Sequence, residues 1–434
     1  MGHFKIDFLK LAFRNIGRHK LKTFLTVLSI FIGLALYIFM DGWLLGVEIE
    51  SLRNLVNYEI GSAKIYSKKY FEKKDELPMY EDFNDYKNII NTLNGKGYSA
   101  APRFTFSGLL ISQEKDVPFI FHGIDTKLEN EVFRYDKFIE SGEFVKENEF
   151  KVMLGVNGAE KLKVKVGDDV RVYTTIDKKD EKGRITHTHQ VINLNVCAII
   201  NSPDPKVNGN TAYLPLSILQ GDMGLLLDGS ITEISIRKKG AKDYEMPDAF
   251  ENPVNIINAL GTDLRNELTL VGWQEDAKDF LAIAQTKRGG TSFILILLLL
   301  ITVLLISNTM MLAVIERTKE LAMMRSMGMK DSEIILILVI EAGIIGLIGA
   351  VLGVTGGIIA DFYMVNWGID FTSMFKAMEV DDIGYRVSGV LKSAWNVDSI
   401  IKAFILGIIL SVLSALMPAF NSVKLKITDA LRFE

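Results

Sequence analysis

The chain has 434 residues, which is too long for one ordinary domain and predicts two or more folded units. Its apolar fraction of 49% would suit a soluble enzyme, but the apolar residues are concentrated in four long runs, and a polar stretch separates the first run from the other three. This distribution excludes a wholly soluble protein. The formal net charge is −4, and we expect no nucleic-acid partner.

The first 22 residues have an apolar face and a basic face at helical spacing. Phe4 and Phe8 fall on one face, whereas Lys10, Arg14 and Arg18 fall on the other. This pattern predicts a cytoplasmic amphipathic helix over 1–22, lying at the membrane surface, where its cations meet anionic lipid headgroups. Packing against a soluble partner is the alternative.

Four apolar runs reach the roughly 20 residues that a membrane-spanning helix needs. The predicted spans are 23–45, 291–315, 334–359 and 400–417. We expect the first to be retained rather than cleaved as a signal peptide, because its apolar core is longer than a typical signal core and no small-residue cleavage site follows.

Lysine and arginine near the ends of the spans predict the orientation, since such residues are in excess in cytoplasmic loops. The basic positions are Lys5, Lys10, Arg14, Arg18, Lys20 and Lys22 before the first span, Arg317, Lys319, Arg325 and Lys330 between the second and third, and Lys424, Lys426 and Arg432 after the fourth. Both termini, including the tail 418–434, are therefore predicted to be cytoplasmic. Residues 46–288 and the loop 360–399 are predicted to be extracytoplasmic.

The long insertion 46–288 has the pattern of an α+β domain. "SAKIYS", "VPFIFHGI" and the alternating "ITEISIR" predict strands, "YEDFNDYKNIINTLNGKG" predicts a helix, and "NSPDPKVNGN" predicts a loop or hairpin tip. A segment of this size can bury its own core, and we expect two subdomains. Because Cys197 is the only cysteine, an intrachain disulfide is excluded, and we interpret Cys197 as a buried strand residue.

No motif for covalent chemistry stands out. The chain has neither a G-x-x-x-x-G-K-[ST] loop nor an H-E-x-x-H motif. His187 and His189 would share a strand face, but a solvated hairpin explains them better than a metal site, and His122 with Asp125 is equally weak as a catalytic pair. We therefore expect no catalytic residue, no metal and no cofactor in this chain.

The third span contains small residues at a regular spacing and one ionisable residue. Gly349, Gly353 and Gly357 recur every four residues, which lets another helix approach closely. That helix could belong to the same chain or to a second subunit. Glu341 lies about 10 Å into the span, where a carboxylate needs a partner or a water-lined cavity. A hydrogen-bonded structural role is favoured over substrate or proton handling.

Several segments resemble the ABC transporter permeases of the MacB, FtsX and LolC/LolE family. "LAFRNIGRHKLKTFLTVLSIFIG" resembles the entry into that family's first helix, and "MLGVNGAEKLKVKVGDDVRV" with "TAYLPLSILQ" resembles its periplasmic core. "SNTMMLAVIERTKELAMMRSMGMKDSEI" resembles its signature after the second helix. The resemblance extends in order along almost the whole chain.

This resemblance implies a non-catalytic subunit that pairs with a second permease, identical or related, and docks on a separate ATPase that binds and hydrolyses ATP. The movement of the ATPase would reach the outer domain through stiff helices, although Gly289 and Gly290 could form a local hinge. The loop 316–333 would be the coupling element. Its candidate residues are Glu316, Arg317, Lys319, Glu320, Met324, Arg325, Met327 and Gly328, of which Gly328 would end a helix.

Within the family, "LTLVGWQEDAKDFLAIAQ" and "NWGIDFTSMF" resemble the lipoprotein-releasing branch. This implies a protein of the bacterial inner membrane that extracts lipoproteins and passes them to a periplasmic carrier. Two alternatives are MacB-like efflux of peptides or drugs and FtsX-like mechanical regulation of a cell-wall hydrolase. MacB proteins carry their ATPase on the same chain, and the FtsX outer domain is usually much smaller.

Overall fold

The computed structural model describes residues 12, 14, 16–18, 20–84, 86–179, 185–221, 226, 229–240, 267–377, 386–387 and 389–424. The chain divides into two compact units. We call Met1–Val47, Gln285–Ile369 and Leu391–Glu434 the helical unit, and Glu48–Ala284 with Asp370–Val390 the sheet unit.

The helices differ widely in length. They are α1 (Lys20–Leu55), α2 (Lys68–Glu72), α3 (Tyr86–Gly95), α4 (Leu128–Val132), α5 (Val156–Leu162), α6 (Pro205–Asn208), α7 (Leu216–Gln220), α8 (Trp273–Asp276), α9 (Lys278–Glu316), α10 (Thr318–Ser326), α11 (Asp331–Asn366), α12 (Thr372–Ala377) and α13 (Val397–Lys424). A π-helical turn, Val56–Ile60, follows α1, and there are 3-10 turns at Lys74–Glu76 and Tyr135–Phe138.

The described strands lie almost entirely in the sheet unit. They are β1 (Ala63–Ser67), β2 (Tyr98–Ile111), β3 (Asp116–Ile124), β4 (Ile139–Gly142), β5 (Lys151–Gly155), β6 (Asp169–Lys179), β7 (Ile185–Ile200), β8 (Thr211–Pro215), β9 (Glu233–Lys238), β10 (Leu268–Gly272), β11 (Ile369–Asp370) and β12 (Val390–Leu391).

Four described helices, α1, α9, α11 and α13, are long and apolar enough to cross a membrane. One precedes the strand-rich insertion and three follow it, which confirms the predicted fold class of four spanning helices with a large α+β domain between the first and second. The helices extend beyond the predicted spans because apolar composition marks only the part that fits hydrocarbon, whereas backbone hydrogen bonding continues past it. Thus α13 continues through Pro418 to Lys424, into the segment predicted as the tail.

The predicted amphipathic segment 1–22 is described only in part. Ala12, Arg14 and residues 16–18 are helical. Phe4, Phe8 and Lys10 lie outside the described residues.

Ten of the described strands form one mixed sheet in the sheet unit. The order is β10-β1-β9-β2-β3-β8-β5-β7-β4, and β6 pairs with both β2 and β7. The β3–β8 and β5–β7 pairs are parallel, and the other named pairs in this sheet are antiparallel. The sequence segments that predicted strands correspond to β1, β3 and β9.

The sheet separates two hydrophobic clusters. On β5, Val152 and Leu154 belong to one cluster and Met153 to the other; on β8, Leu214 and Tyr213 divide in the same way. Since successive strand residues point to opposite faces, these short strands contribute to a core on each side of the sheet. The continuous apolar runs of β5 and β8 therefore correspond to strands that are buried on both faces.

The segment "NSPDPKVNGN" was predicted as a loop, but it contains the helical turn α6. Asp204 caps this helix by accepting a hydrogen bond of 2.9 Å from the amide nitrogen of Lys206. Pro205 occupies the first helical turn, where a missing N–H costs nothing. The local Asp-Pro pattern therefore favours a short helix over an open loop.

Cys197 lies on β7 and is partly buried, with its Sγ 3.5 Å from the carbonyl oxygen of Val152. Burial raises the pKa of Cys197 to about 11. Because the thiolate is the reactive form, we expect the native protein to react slowly with a thiol-specific disulfide reagent at pH 8. Reaction with one equivalent should become fast in denaturant. Fast labelling of the native protein would contradict this placement.

Candidate coupling site

The connector between α9 and α11 is itself helical. Arg317, with φ −96° and ψ 9°, interrupts the helix between α9 and α10. At the other end, Gly328 has a φ of +96°, the left-handed region that favours glycine. Its amide donates to the carbonyl of Arg325 at 3.0 Å, and the amide of Met329 donates to Met324 at 3.2 Å. These two bonds form a Schellman cap, so Gly328 ends α10 as the sequence predicts.

The helix α10 has a buried face and an exposed face. Leu321 and Ala322 are buried, and Leu321 joins a cluster with Val314 and Ile334 of the flanking helices. On the exposed side, Met323 and Met327 show 49% and 79% of their surface. Large apolar side chains with this exposure form a surface suited to contact with another protein.

The acidic candidates of the connector pair with basic residues of the N-terminal segment. Glu316 forms an ion pair with Lys22, and Glu320 lies 3.0 Å from Arg18. Both Glu316 and the candidate Lys319 are exposed. The charges of Glu316 and Glu320 are therefore partly neutralised within the chain.

The remaining candidates are less exposed than Met327. Met324 is half-buried, and Arg325 forms an ion pair with Asp331 at 2.9 Å. This pair joins the end of α10 to the first residue of α11. Arg325 is thus positioned to hold the turn at Gly328.

Arg317 and Glu341 were singled out for different reasons, and the structure brings them together. Arg317 donates to both carboxylate oxygens of Glu341, at 2.9 and 3.1 Å. Only 4% of Arg317 is exposed, so its charge faces Glu341 and is not available at the docking surface. Glu341 consequently has the partner that its position in an apolar helix requires.

Removing one member of this buried pair should destabilise the helical unit more than removing both. We expect Arg317→Met to cost about 3–5 kcal/mol, because it leaves the charge of Glu341 uncompensated. Glu341→Leu should cost less, because Arg317 keeps Glu320 at 3.5 Å, and the double variant should be close to wild type. Thermal unfolding in detergent measures these differences. Arg325→Ala at the more exposed pair is the control and should cost no more than about 1 kcal/mol. Additive losses in the double variant would contradict the pairing.

The three glycines of the third span face α1. A Cβ atom at Gly349, Gly353 or Gly357 would lie within 2.7, 2.9 and 2.8 Å of the Cβ atoms of Ile30, Leu34 and Ile38, respectively. These isoleucine and leucine positions are also four residues apart. The glycines therefore pack against a helix of the same chain in this structure.

Gly349→Ala should destabilise the helical unit, whereas Gly343→Ala on the same helix should not. The new methyl group at 349 meets Ile30 at 2.7 Å, but at 343 it meets Val412 at an ordinary 3.6 Å. Both changes add the same helix propensity, so the difference between the variants isolates the clash, about 1–3 kcal/mol. Equal thermal midpoints in detergent would argue against close packing at Gly349.

A second buried carboxylate, which the sequence did not single out, lies near the end of α11. Asp361 of α11 is 1% exposed and accepts a hydrogen bond of 2.7 Å from the hydroxyl of Ser393. A Cβ atom at Gly42 of α1 would lie only 2.6 Å from the carboxylate of Asp361, so the glycine makes room for it. The one sequence feature that could have indicated this buried carboxylate is an aspartate close to the end of an apolar run.

The histidines considered as ligands occupy unrelated positions. His122 is half-buried, shares a hydrogen bond of 2.9 Å with Thr105 and stacks on Tyr213. Burial, reinforced by the charge of Arg103, holds the pKa of His122 well below its usual value, so the ring is neutral. Among the described residues, no group of three or more His, Cys, Asp or Glu side chains could hold a metal ion.

Two family models match the chain. A MacB-like periplasmic core domain matches residues 23–254, and an FtsX-like permease C-terminal domain matches residues 292–427. The first covers more than half of the chain and contains the sheet unit up to β9. The second contains α10, the coupling-site candidates and most of the three later membrane helices.

Curated relatives are similar over most of the chain at low identity. An uncharacterized ABC transporter permease of Methanocaldococcus jannaschii is 23% identical over 99% of this chain and 98% of its own length. The lipoprotein-releasing system transmembrane protein LolC of Xylella fastidiosa is 19% identical over 77% of this chain and 78% of its own. The macrolide export ATP-binding/permease protein MacB of Chlorobaculum tepidum is 24% identical over 99% of this chain and 62% of its own.

The four spanning helices, the inserted α+β domain and the helical connector define a membrane permease. The chain belongs to the family of ABC transporter permeases that combine a MacB-like periplasmic core with an FtsX-like C-terminal region.

Proposed function

We propose that this chain relays the ATP-driven movement of a separate cytoplasmic ATPase to its extracytoplasmic domain and hydrolyses no nucleotide itself. The working unit would contain two permease chains, identical or related, in the bacterial inner membrane with both termini cytoplasmic. The exposed residues of the 316–333 connector would contact the ATPase. Family members are permease components of ABC transporters, which supports the need for an ATPase partner.

Helix length is the observation that carries this proposal. The helices α1 and α9 contain 36 and 39 residues, which correspond to about 54 and 58 Å of continuous helix. A hydrocarbon core is only about 30 Å thick. Both helices begin in one compact unit and end in the other, and α9 remains helical through Gly289 and Gly290. Continuous helices transmit displacement better than flexible linkers do.

The exposed methionines of α10 support the position of the ATPase contact. Met323 lies on α10 and Met327 directly follows this helix, which is fixed at one end by the Arg317–Glu341 pair and at the other by the cap at Gly328. A partner that binds this helix would therefore grip a rigid element. Its displacement would be passed to α9 and α11, which flank it.

Met323→Ser with Met327→Ser should weaken binding of the ATPase at least tenfold, because apolar contact area is lost from the surface of α10. The measurement is an equilibrium binding titration with the ATPase that co-purifies with the wild-type chain. Met374→Ser is the matched control, since Met374 is 47% exposed and lies in α12 of the sheet unit. Unchanged affinity in the double variant would remove α10 from the interface.

For the cargo, we propose lipoproteins, extracted from the inner membrane and passed to a periplasmic carrier. The alignment with LolC over 77% of this chain supports this choice. Each buried CH₂ of an acyl chain is worth about 0.8 kcal/mol, so removing such a chain from a bilayer requires an energy source.

MacB-like efflux is the second candidate, because the MacB relative aligns with 99% of this chain. Depletion of the protein separates the two functions. Lipoprotein release predicts that acylated proteins accumulate in the inner membrane, as measured by fractionation. Normal lipoprotein sorting with increased sensitivity to peptides or drugs would favour efflux, and co-purification of a cell-wall hydrolase would favour FtsX-like regulation.

A further inference from the structure

The segment between α11 and α13 belongs largely to the sheet unit. Asp370–Val390 groups with Glu48–Ala284, although the sequence reads it as a simple loop between two membrane helices. The amide of Phe371 donates to the carbonyl of Gly389 at 2.7 Å, which closes the segment near its two ends. The sheet unit is thus joined to the helical unit at four points of the chain, of which two come from this segment.

Arg386 attaches this segment to the end of α1 through its backbone. Its amide donates to the hydroxyl of Ser51 at 2.7 Å, and its carbonyl accepts from the side-chain amide of Asn54 at 2.8 Å. Ser51 and Asn54 are 0% and 2% exposed. Asn54 also donates to the carbonyl of Pro203 at 3.2 Å, so the same side chain links three segments.

The side chain of Arg386 joins two carboxylates. It forms an ion pair with Glu59 of the π-helical turn and lies 3.2 Å from Asp204, which caps α6 and is fully buried. The guanidinium also lies 5.7 Å from the ring centre of Phe280, near the start of α9. Lys206 contacts the other oxygen of Glu59 at 2.5 Å. One arginine therefore touches residues at the end of α1, at the start of α9 and beside α6.

We propose that Arg386 is a positioning residue that anchors the α11–α13 segment in the sheet unit and makes it a third mechanical link, in addition to α1 and α9. Displacement of α11 and α13 then reaches the sheet unit through this segment. This inference rests on the proposed relay. The anchor itself is defined by contacts within the sheet unit, so it can be tested separately.

The guanidinium is suited to this role because one of its nitrogens contacts both Glu59 and Asp204, while the delocalised cation lies over the ring of Phe280. Lysine can supply the charge but not the planar group beside the ring. Arg386→Lys should therefore retain part of the anchor, and Arg386→Met, which keeps the length but not the charge, should lose it. Lys206→Met is the matched control, because it removes a cation from the same Glu59 without touching the α11–α13 segment.

The test uses the full chain with its co-purified ATPase in lipid nanodiscs, and hydrogen–deuterium exchange as the readout. Without nucleotide, we expect Arg386→Met to increase exchange at residues 386–391 at least tenfold, Arg386→Lys to increase it less, and Lys206→Met to leave it unchanged. Size-exclusion profiles and ATP hydrolysis within twofold of wild type show that the variants are folded. Wild-type exchange in Arg386→Met, or an equal increase in Lys206→Met, would overturn the anchor.

Adding ATP then tests the link. Wild type should show ATP-dependent exchange changes at residues 48–60 and 386–391, and Arg386→Met should lose at least four fifths of the change at 48–60. An unaltered ATP response in Arg386→Met would overturn the third link while leaving the relay intact. If wild type shows no ATP response in the sheet unit although the nucleotide-free result confirms the anchor, the proposed relay fails and the mechanical link fails with it.

Discussion

The satisfaction of backbone hydrogen bonds in hydrocarbon constrains this structure more than any single side-chain contact. A chain that crosses lipid must bond its own N–H and C=O groups, so each crossing is an unbroken helix. In α1 and α9 the same bonding continues well past the length that a bilayer needs. At the boundaries that lie in α1 and α9, the chain therefore passes between the two units as helix, and bending these helices would break several hydrogen bonds at once.

Two kinds of contact position the helices. Along α11, glycines accommodate the branched and bulky side chains of α1, which gives close contact without any polar group. At the connector between α9 and α11, the Arg317–Glu341 pair fixes the point where α9 ends and α10 begins. Apolar packing tolerates small sliding, whereas a hydrogen-bonded ion pair holds its two side chains at a defined distance. The combination places the most direction-specific contact beside the surface proposed to bind the ATPase.

The sequence predicted the elements better than their mutual contacts. Hydrophobic runs and strand alternation indicated the four spans and β1, β3 and β9, because those patterns are properties of one segment. The spacing of Gly349 and Gly353 predicted a close neighbour but not its identity, since spacing on one helix says nothing about the other. Arg317 is expected at the docking surface from the sequence, because no local pattern shows which side of α9 faces α11. The structure instead pairs Arg317 with Glu341 of α11. No pattern marked Arg386, whose partners are more than 100 residues away in sequence.

The sharing of β5 and β8 between both faces of the sheet has a consequence for folding. Neighbouring residues such as Val152 and Met153 belong to different hydrophobic clusters. If the strand paired one residue out of register, each of these side chains would point into the cluster on the opposite face of the sheet. Neither layer of apolar packing can be completed while the other is misaligned. The two layers should thus melt together in one cooperative transition, and the domain should resist partial unravelling when it is pulled.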